Sequence, residues 1–216
     1  MEDLNKHIAQ LREDFMRGTL DDETVEKNPF LQFQAWLKQA VEAKVPELQA
    51  MTLSTVANNK PSTRVVYLRE FEAGNFWFYG NYTSRKAQQL NQNPNACLNF
   101  FWPALERQIR IEGVVKIAAS DLSDNYFRSR PRESQIGAWA SNQSSALNSR
   151  KELEERVEHF EKEFEGKDVP RPHYWGGWML EANYYEFWQG RKSRLHDRIS
   201  YYQTPEGSWQ MARLAP

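Results

Sequence analysis

The sequence is poor in cysteine and in long apolar runs, and both absences narrow its class. Cys97 is the single cysteine among 216 residues, which excludes an intramolecular disulfide. No apolar stretch approaches the ~20 residues that a membrane-spanning helix requires. The N-terminus is charged from residue 2 and lacks the apolar core of a signal peptide. We therefore expect a cytoplasmic protein with no membrane partner.

An excess of positive charge is also absent. The chain has 28 Lys and Arg against 29 Asp and Glu, for a formal net charge of -1. Dedicated nucleic-acid-binding domains are usually clearly basic, so nucleic acid is not the expected partner. With 40% hydrophobic and 13% aromatic residues, the chain is long and apolar enough to bury one sizeable core.

Several catalytic signatures are missing. There is no Gly-rich dinucleotide fingerprint, no P-loop and no Gly-x-Ser-x-Gly elbow. The four histidines are scattered without metal-ligand spacing, and they are His7, His159, His173 and His196. The sequence therefore disfavours a Rossmann dehydrogenase and a metal hydrolase, and we expect no metal site.

What is present is a series of short alternating segments separated by turn residues, with few helices between them. Asn28-Pro29 begins a helix, Ser84 and Ser134 are predicted to cap two more, and a surface helix is expected at 149–166. A further helix is expected at 121–130. Strands are expected at 51–56, 63–71, 76–79, 96–102, 107–118, 174–189, 199–203 and 208–213. This order predicts a mainly β fold with peripheral helices (α+β), built on a closed or partly closed antiparallel barrel. Residues 1–27 are expected to form an N-terminal helix and mobile arm, and residues 28–216 a single domain.

Cations cluster at predicted strand ends and helix starts. Arg64 and Arg69 share one predicted strand, and Arg85 and Lys86 occupy the first helical turn after Ser84. The helix dipole disfavours cations at that position unless an anion binds there too. A phosphate at this helix N-terminus would resolve the conflict. A solvated Arg-Lys pair remains the alternative.

A second set of residues suggests another anion site. Tyr126 and Arg130 are four residues apart and share a helix face, and Ser134 follows shortly after Pro131. An ordinary polar surface is the alternative here. Side chains able to hydrogen-bond the edge of a heterocycle are Gln108, Gln143 and Ser144.

The segment 187–198 joins two predicted strands and carries unusual chemistry for a simple turn. Trp188 offers a flat apolar face, and Arg194 is a planar cation able to lie over a ring. His196 and Arg198 could donate hydrogen bonds to ring oxygens. Two anion sites beside a stacking loop predict two phosphorylated aromatic ligands in contact, a cofactor and a substrate.

Short motifs follow one another in a fixed order from about residue 28 to the C-terminus. They are Ser84-Arg85-Lys86-Ala87, Glu106-Arg107-Gln108, Ser129-Arg130-Pro131-Arg132, Ser134-Gln135-Ile136-Gly137-Ala138-Trp139, Gln143-Ser144-Ser145, Glu186-Phe187-Trp188-Gln189-Gly190, Arg194-Leu195-His196-Asp197-Arg198 and Arg213-Leu214-Ala215-Pro216. In this order they resemble the pyridoxine (pyridoxamine) 5′-phosphate oxidase family.

The resemblance implies a split β-barrel homodimer with shared active sites and FMN at the subunit interface. It implies oxidation of pyridoxine or pyridoxamine 5′-phosphate to pyridoxal 5′-phosphate, with O2 reduced to H2O2. The residues that it places on FMN are Arg64, Val65, Val66, Tyr79, Arg85, Lys86 and Gln108, with Gln143, Ser144, Trp188 and Arg198 expected from the partner subunit. The residues that it places on the substrate are Arg69, Tyr126, Arg130, Ser134, Arg194 and His196, of which Arg194 and His196 are the catalytic candidates. Arg191 and Lys192 are expected to be solvent-exposed turn residues.

The chain departs from the family pattern at three places. Arg69 stands where lysine is usual, and Gly80 where threonine is common. In the N-terminal arm, an expected Arg-x-x-Tyr appears as Arg12-Glu13-Asp14-Phe15, without the phenolic hydroxyl. The alternative functions are an FMN-binding split-barrel protein and a flavin oxidoreductase that acts on another substrate.

Overall fold

The computed structural model describes residues 2–10 and 15–216, with the side chains of residues 2–4 left undescribed. The helices are α1 (Glu2–Gln10), α2 (Pro29–Glu42), α3 (Arg85–Gln92), α4 (Ser120–Ser129), α5 (Arg132–Ala140) and α6 (Arg150–Glu163). The strands are β1 (Ala50–Ala57), β2 (Lys60–Tyr67), β3 (Glu70–Glu72), β4 (Asn75–Asn81), β5 (Asn95–Trp102), β6 (Arg107–Ile117), β7 (Trp175–Gln189), β8 (Asp197–Gln203) and β9 (Trp209–Leu214). Short 3-10 turns lie at Pro103–Leu105 and Lys192–Arg194.

The chain forms two compact units. The first unit consists of the described residues of Met1–Leu48, together with Asn99–Ile111 and Tyr184–Pro216. The second unit consists of Gln49–Leu98 and Glu112–Asn183. The expectation of one domain from residue 28 onward, preceded by a mobile arm, stays a prediction.

Among the described residues the strands form one sheet in the order β2-β1-β5-β6-β7-β4-β3, with β8 paired to β7 and β9 paired to β8. The pairs β1–β2, β3–β4 and β4–β7 are antiparallel. In the first unit β8 pairs antiparallel with both β7 and β9. The predicted class, a mainly antiparallel sheet with peripheral helices, is confirmed. Among the described helices, none is long and apolar enough to cross a bilayer.

Two tight turns set the register of the second unit. Asn58 and Asn59 both have positive φ (51° and 58°), which is the type I′ geometry that matches strand twist, and Ala57 pairs with Lys60 across them. Asparagine tolerates this backbone region because its short side chain can hydrogen-bond locally. Ala73 and Gly74 turn between β3 and β4 in the same way.

Two local predictions fail for identifiable reasons. The strand expected at 63–71 is broken between β2 and β3, because the Leu68 amide bonds to the carbonyl of Gln49 and the Arg69 amide to that of Trp77. Ser134 is not a cap, since α5 already begins at Arg132. By contrast, Asn28 caps α2 as expected, with its side chain accepting from the amides of Phe30 and Leu31.

Aromatic packing builds each core separately. In the first unit Phe33 lies 5.6 Å from Phe100, and Phe187 lies 5.3 Å from Trp36 and 5.8 Å from Tyr201, ring centre to ring centre. In the second unit a cluster of buried side chains joins α4 and α5 to the start of β7, and its members include Phe127, Ile136, Phe164 and Trp175. Each fully buried aromatic ring contributes ~2–3 kcal/mol of transfer free energy.

Gly113 in β6 allows a close approach of the backbone of β7. A Cβ at this position would lie 2.0 Å from the carbonyl oxygen of Glu181, an atom that cannot rotate away. We expect Gly113→Ala to lower the free energy of unfolding by about 3 kcal/mol through overpacking. Urea denaturation followed by circular dichroism measures this change. Gly137→Ala is the matched control, because its methyl meets no atom within 4 Å; equal stability of the two variants would contradict the packing argument.

Candidate active site

The second unit contains a cavity of about 940 Å³. Twelve residues singled out from the sequence line it, and they are Arg64, Val65, Val66, Arg69, Tyr79, Arg85, Lys86, Tyr126, Arg130, Ser134, Gln143 and Ser144. Five of these are cations, whereas no Asp or Glu occurs among the described lining residues. A concave surface with one sign of charge concentrates counter-ions, so the cavity is suited to anions.

Arg64 on β2 is held rigidly by uncharged acceptors. Its Nη1 donates to the Leu53 carbonyl (3.0 Å) and Thr55 Oγ1 (2.7 Å), and its Nη2 to Ser62 Oγ (2.9 Å) and Gln89 Oε1 (2.7 Å). Burial, and then the charge of Arg85, lower the pKa of Arg64. The guanidinium is thus fixed in place while its charge stays uncompensated.

Lys86 adds a second buried charge beside Arg64. It lies in the first turn of α3, and its Nζ donates to Ser84 Oγ (3.0 Å) and Gln143 Oε1 (2.5 Å). Burial first, and then the charge of Arg64, lower the pKa of Lys86 to about 8. Ser84 occupies the N-cap position of α3, but its hydroxyl donates to the Asn81 carbonyl (2.7 Å) and caps no helical amide.

An aromatic stack forms another part of the wall. The rings of Tyr79 and Tyr126 lie 4.0 Å apart at an interplanar angle of 25°, and Trp175 stacks 5.9 Å from Tyr79. Burial raises the pKa of Tyr79 to about 12, with smaller contributions from Glu70, Tyr126 and Tyr82. Tyr79 therefore stays a neutral hydrogen-bonding group at physiological pH.

The guanidinium of Arg130 packs against this aromatic stack. Its guanidinium carbon is 4.5 Å from the ring centre of Trp175, and its Nη1 is buried without a hydrogen-bond partner among the described residues. Burial is the main cause that lowers the pKa of Arg130. Since an unpaired buried donor costs about 1–3 kcal/mol, this atom marks a place for an acceptor. Ser134 on α5 lines the same cavity.

The remaining cavity cations are exposed. Arg69 lies with its guanidinium carbon 4.9 Å from the ring centre of Tyr67 and 6.0 Å from that of Tyr126. Arg85 is also exposed, beside the half-buried Val66 and the exposed Val65 of β2. These side chains extend the basic surface from the α3 end of the cavity to the Arg130 end.

Gln143 and Ser144 contradict one sequence-based expectation. We expected both from a partner subunit, whereas they line the same cavity as Arg64 of the same chain, and Gln143 bonds directly to Lys86. The polar segment after α5 places them there, with Ser144 at a positive φ of 72°.

The other five predicted site residues belong to the first unit. Gln108 lies half-buried on β6. Trp188 and Arg198 face each other across the β7–β8 pair. Arg198 is paired with the buried carboxylate of Glu186, since its Nε and Nη2 each lie 2.9 Å from Glu186 Oε1. Arg198 therefore has fewer donors available for a ligand.

His196 is held in one tautomer by the loop. The ring lies 4.6 Å from Trp188 and 5.5 Å from Phe15, and its Nδ1 accepts from the backbone amide of Arg191 (3.1 Å). Burial and the charge of Arg194 lower the pKa of His196. The imidazole is therefore neutral at physiological pH with its proton on Nε2, a donor.

Arg194 presents its side chain from a strained backbone. Ser193 and Arg194 are consecutive non-glycine residues with positive φ, 58° and 61°. The side chain of Arg194 is exposed, and no hydrogen bond or ion pair holds it among the described residues. Arg191, expected to be a solvent-exposed turn residue, is half-buried, and its Nη1 donates to Asp197 Oδ2 (3.0 Å). Lys192 is exposed as expected.

Two residues near these sites had not been singled out from the sequence. Trp175 had been assigned only to a strand, although its indole supports Arg130. Asp197 joins three elements, since it accepts from the Leu20 amide (3.2 Å), Arg191 and Arg213 Nη1 (2.9 Å). The many aromatic residues around position 175 could have indicated a packing role for Trp175. No residue close in sequence to Asp197 indicated that it would accept hydrogen bonds from Leu20 and Arg213. Arg12, from the expected arm motif, lies outside the described residues, and Phe15 packs on Trp188.

No metal site accompanies these clusters. Within residues 2–10 and 15–216, no group of three or more His, Cys, Asp or Glu side chains could hold a metal ion.

Comparison with known sequences gives consistent matches over nearly the whole chain. The family model described as pyridoxamine 5′-phosphate oxidase matches residues 37–163, and the one described as pyridoxine 5′-phosphate oxidase C-terminal dimerisation region matches residues 175–216. A pyridoxine/pyridoxamine 5′-phosphate oxidase of Bordetella avium is 50% identical over 97% of this chain and 99% of its own length. One from Trichormus variabilis is 45% identical over 99% of this chain and its own full length.

Two solved structures resemble the fold closely. PhzG from Burkholderia lata 383, solved in complex with tetrahydrophenazine-1-carboxylic acid, has a TM-score of 0.85 and 26% identity, covering 92% of this chain and 98% of its own. A pyridoxamine 5′-phosphate oxidase-related, FMN binding protein from Nostoc punctiforme has a TM-score of 0.69 and 15% identity, covering 89% of this chain and all of its own. The second likeness concerns the fold alone, and it confirms the predicted split barrel.

Asp197 is expected to stabilise the segment that carries Arg194 and His196. Asp197→Asn removes the charge that two arginines share, and it should lower the free energy of unfolding by about 2 kcal/mol. Urea denaturation followed by tryptophan fluorescence measures this. Glu154→Gln is the matched control, because Glu154 forms an exposed pair with Arg150 on α6 and such pairs contribute about 0.5 kcal/mol or less. A loss no larger than that of the control would show that Asp197 has no such role.

Proposed function

The chain belongs to the pyridoxamine 5′-phosphate oxidase family, and we propose that it is an FMN-dependent oxidase of pyridoxine 5′-phosphate or pyridoxamine 5′-phosphate. The product is pyridoxal 5′-phosphate, and O2 is the electron acceptor. The alcohol reacts with O2 to give the aldehyde and H2O2, whereas the amine consumes one water in addition and releases ammonia. The observation that carries the proposal is one cavity with five cations and no lining carboxylate, arranged at two ends of an aromatic stack.

The α3 end of the cavity suits the phosphate of FMN. Arg64, Arg85 and Lys86 supply the charge, and the first turn of α3 supplies backbone amides. The other residues that would hold the cofactor are Val65, Val66, Tyr79, Gln108, Gln143, Ser144, Trp188 and Arg198. When bound, FMN supplies the two-electron acceptor that side chains lack.

The Arg130 end suits the phosphate of the substrate. The partnerless Nη1 of Arg130 would donate to a phosphate oxygen, and the hydroxyls of Tyr126 and Ser134 would add hydrogen bonds. Arg69 extends the same positive region from β2. A protein that bound FMN alone would have no use for this second group of anion ligands.

Arg194 and His196 would orient the substrate ring. Arg194 is exposed and unpaired, so its planar guanidinium is available to lie against the ring and attract its phenolate oxygen. His196, neutral with a proton on Nε2, would donate a hydrogen bond without adding charge. Their task is orientation and electrostatic bias, so the mechanism requires no acid–base dyad.

A second copy of the chain would complete the site. The match of residues 175–216 to a dimerisation region supports a homodimer. We propose that the active sites are shared, with Trp188, Arg194, His196 and Arg198 contributed across the interface. Pyridoxal phosphate is a cofactor of cytoplasmic enzymes, and the cytoplasm is the proposed compartment.

An oxidoreductase acting on another substrate is the second candidate. Its support is the likeness to PhzG, which was solved with a tricyclic carboxylic acid that carries no phosphate. The group of donors formed by Tyr126, Arg130 and Ser134 favours a phosphorylated substrate, because several donors can be matched by the three oxygens of a phosphate.

The proposal is tested by the visible spectrum of the purified protein without oxygen. We expect a yellow, FMN-loaded protein whose absorbance near ~450 nm disappears on addition of pyridoxamine 5′-phosphate, because the two electrons of the substrate pass to the cofactor. Admission of O2 should restore the colour and yield H2O2. A yellow protein that keeps its colour with both phosphorylated substrates would refute the oxidase and leave an FMN-binding protein.

Arg130→Met should damage substrate binding selectively. Removal of the buried charge at the phosphate end is expected to raise KM for pyridoxamine 5′-phosphate about 30-fold or more, the loss of one charged hydrogen-bond donor. The Kd for FMN should change less than about twofold. Steady-state kinetics and flavin fluorescence titration measure the two quantities. Arg128→Met is the matched control, since Arg128 is exposed on α4 and bonds to Asn125; a similar KM for both variants would exclude Arg130 from the site.

A further inference from the structure

One face of the sheet in the first unit carries a buried carboxylate, Glu186, beside the predicted cofactor residues. Side chains two positions apart on a strand point to the same face, so Glu186 shares a face of β7 with Trp188. By the same rule Gln108 shares a face of β6 with Arg110. Arg198 on β8 pairs directly with Trp188, and Glu186 contacts both arginines. The three residues of this unit expected to hold FMN thus lie on the same face as Glu186, to which no role has been assigned.

The hydrogen-bonding capacity of Glu186 is fully used. The residue is 3% exposed. Its Oε1 accepts from Arg198 Nε and lies at the same distance, 2.9 Å, from Arg198 Nη2. Its Oε2 lies 3.2 Å from Arg110 Nη1 and accepts from the Tyr184 hydroxyl at 3.3 Å. An ionised carboxylate has about four acceptor positions, so none remains here for a ligand or for proton transfer.

Arg198 is fixed on two sides and still has donors available. Of the five N–H groups of its guanidinium, two point to Glu186 and one, on Nη1, donates to the Ala215 carbonyl (2.7 Å). The other two, one on each terminal nitrogen, have no partner among the described residues. The guanidinium therefore has a defined orientation together with two donors for a ligand.

We propose that Glu186 is a positioning residue of the cofactor site, which holds the Arg198 guanidinium in the orientation that leaves these two donors available to FMN. This role rests on the proposed FMN-dependent function and concerns how tightly the cofactor is bound. Glu186 takes no part in the chemistry of the substrate.

A charged acceptor suits this task better than a neutral one. Charge-assisted hydrogen bonds are the stronger kind, and two adjacent N–H groups on one carboxylate fix the plane of the guanidinium as well as its place. One carboxylate between Arg110 and Arg198 also leaves a net positive charge for an anionic ligand. Because the side chain of Arg198 is already ordered, a ligand that binds to it loses less conformational entropy.

The first experiment measures the FMN affinity of the apoprotein by quenching of flavin fluorescence. Glu186→Gln keeps the length of the side chain and removes its charge, and it should weaken FMN binding about tenfold, comparable to the loss of one charged hydrogen bond. Glu181→Gln is the matched control, because Glu181 lies on the same strand and forms an exposed pair with Lys116. The control should change the affinity less than about twofold. Unchanged affinity of Glu186→Gln beside tight wild-type binding would overturn the positioning role.

Circular dichroism melting separates this role from a requirement for folding. We expect Glu186→Gln to fold and to melt cooperatively. If it does not fold, Glu186→Asp takes its place in the affinity measurement, because the shorter side chain retains the negative charge and withdraws it from Arg198. Loss of folding in both variants would overturn the proposal, since the carboxylate would then serve the fold.

A double-mutant cycle tests whether Glu186 acts through Arg198. In an Arg198→Met background, Glu186→Gln should have almost no further effect on FMN affinity, because the group that it holds is gone. Arg110 still compensates the buried carboxylate in that background. An equal loss in both backgrounds would overturn the positioning role. Absence of FMN binding by the wild type would instead overturn the proposed function, and the role with it.

The visible circular dichroism of bound FMN gives an independent readout. These bands report the asymmetric surroundings of the flavin and do not depend on the stability of the protein. At saturating FMN, Glu186→Gln should alter the bands in the same direction as Arg198→Met, whereas Glu181→Gln should give the wild-type spectrum. Superimposable spectra of the wild type and Glu186→Gln would contradict the proposal.

Discussion

The accumulation of positive charge without a counter-ion is the constraint on which the cavity depends. Five cations line one concave surface, and no carboxylate among the described lining residues separates them. The repulsion is tolerated because neutral dipoles carry the hydrogen bonding, as in the four uncharged acceptors around Arg64. A carboxylate would stabilise the unliganded protein, yet it would compete with every anion that entered. A cavity built in this way would gain affinity for anions at the expense of stability in the empty state.

The elements that position the site were predictable where the signal was local. The Asn28 cap, the alternating strands and the charged first turn of α3 were all readable from neighbouring residues. The break at Leu68 was not, because the chain there follows hydrogen bonds to Gln49 and Trp77, which are remote in sequence. Ser134 failed as a cap for a related reason: the residue after a proline can already be helical, so α5 begins two residues earlier.

The residues that would contact ligands were predictable from the sequence, whereas the residues that hold them in position were less so. Motif residues such as Arg130 were identifiable from the resemblance to a family, since they would contact ligands directly. Trp175 and Asp197 were not singled out, although one lies under the Arg130 guanidinium and the other joins the loop to Leu20 and Arg213. Their roles depend on which distant residues the fold brings beside them, and this information has no fixed spacing along the chain. For the same reason Gln143 was assigned to the wrong subunit.

The backbone of Ser193 and Arg194 has a consequence for how the chain can vary. Both residues hold left-handed conformations that glycine would adopt without steric penalty. Glycine at position 193 would relax the turn, but it would also enlarge the set of directions in which the following side chain could point. Serine at that position restricts this freedom. The loop therefore keeps a strained backbone that restricts the orientation of the Arg194 guanidinium. Substitutions that relieve this strain would stabilise the loop, but they would also make the orientation of that group less defined.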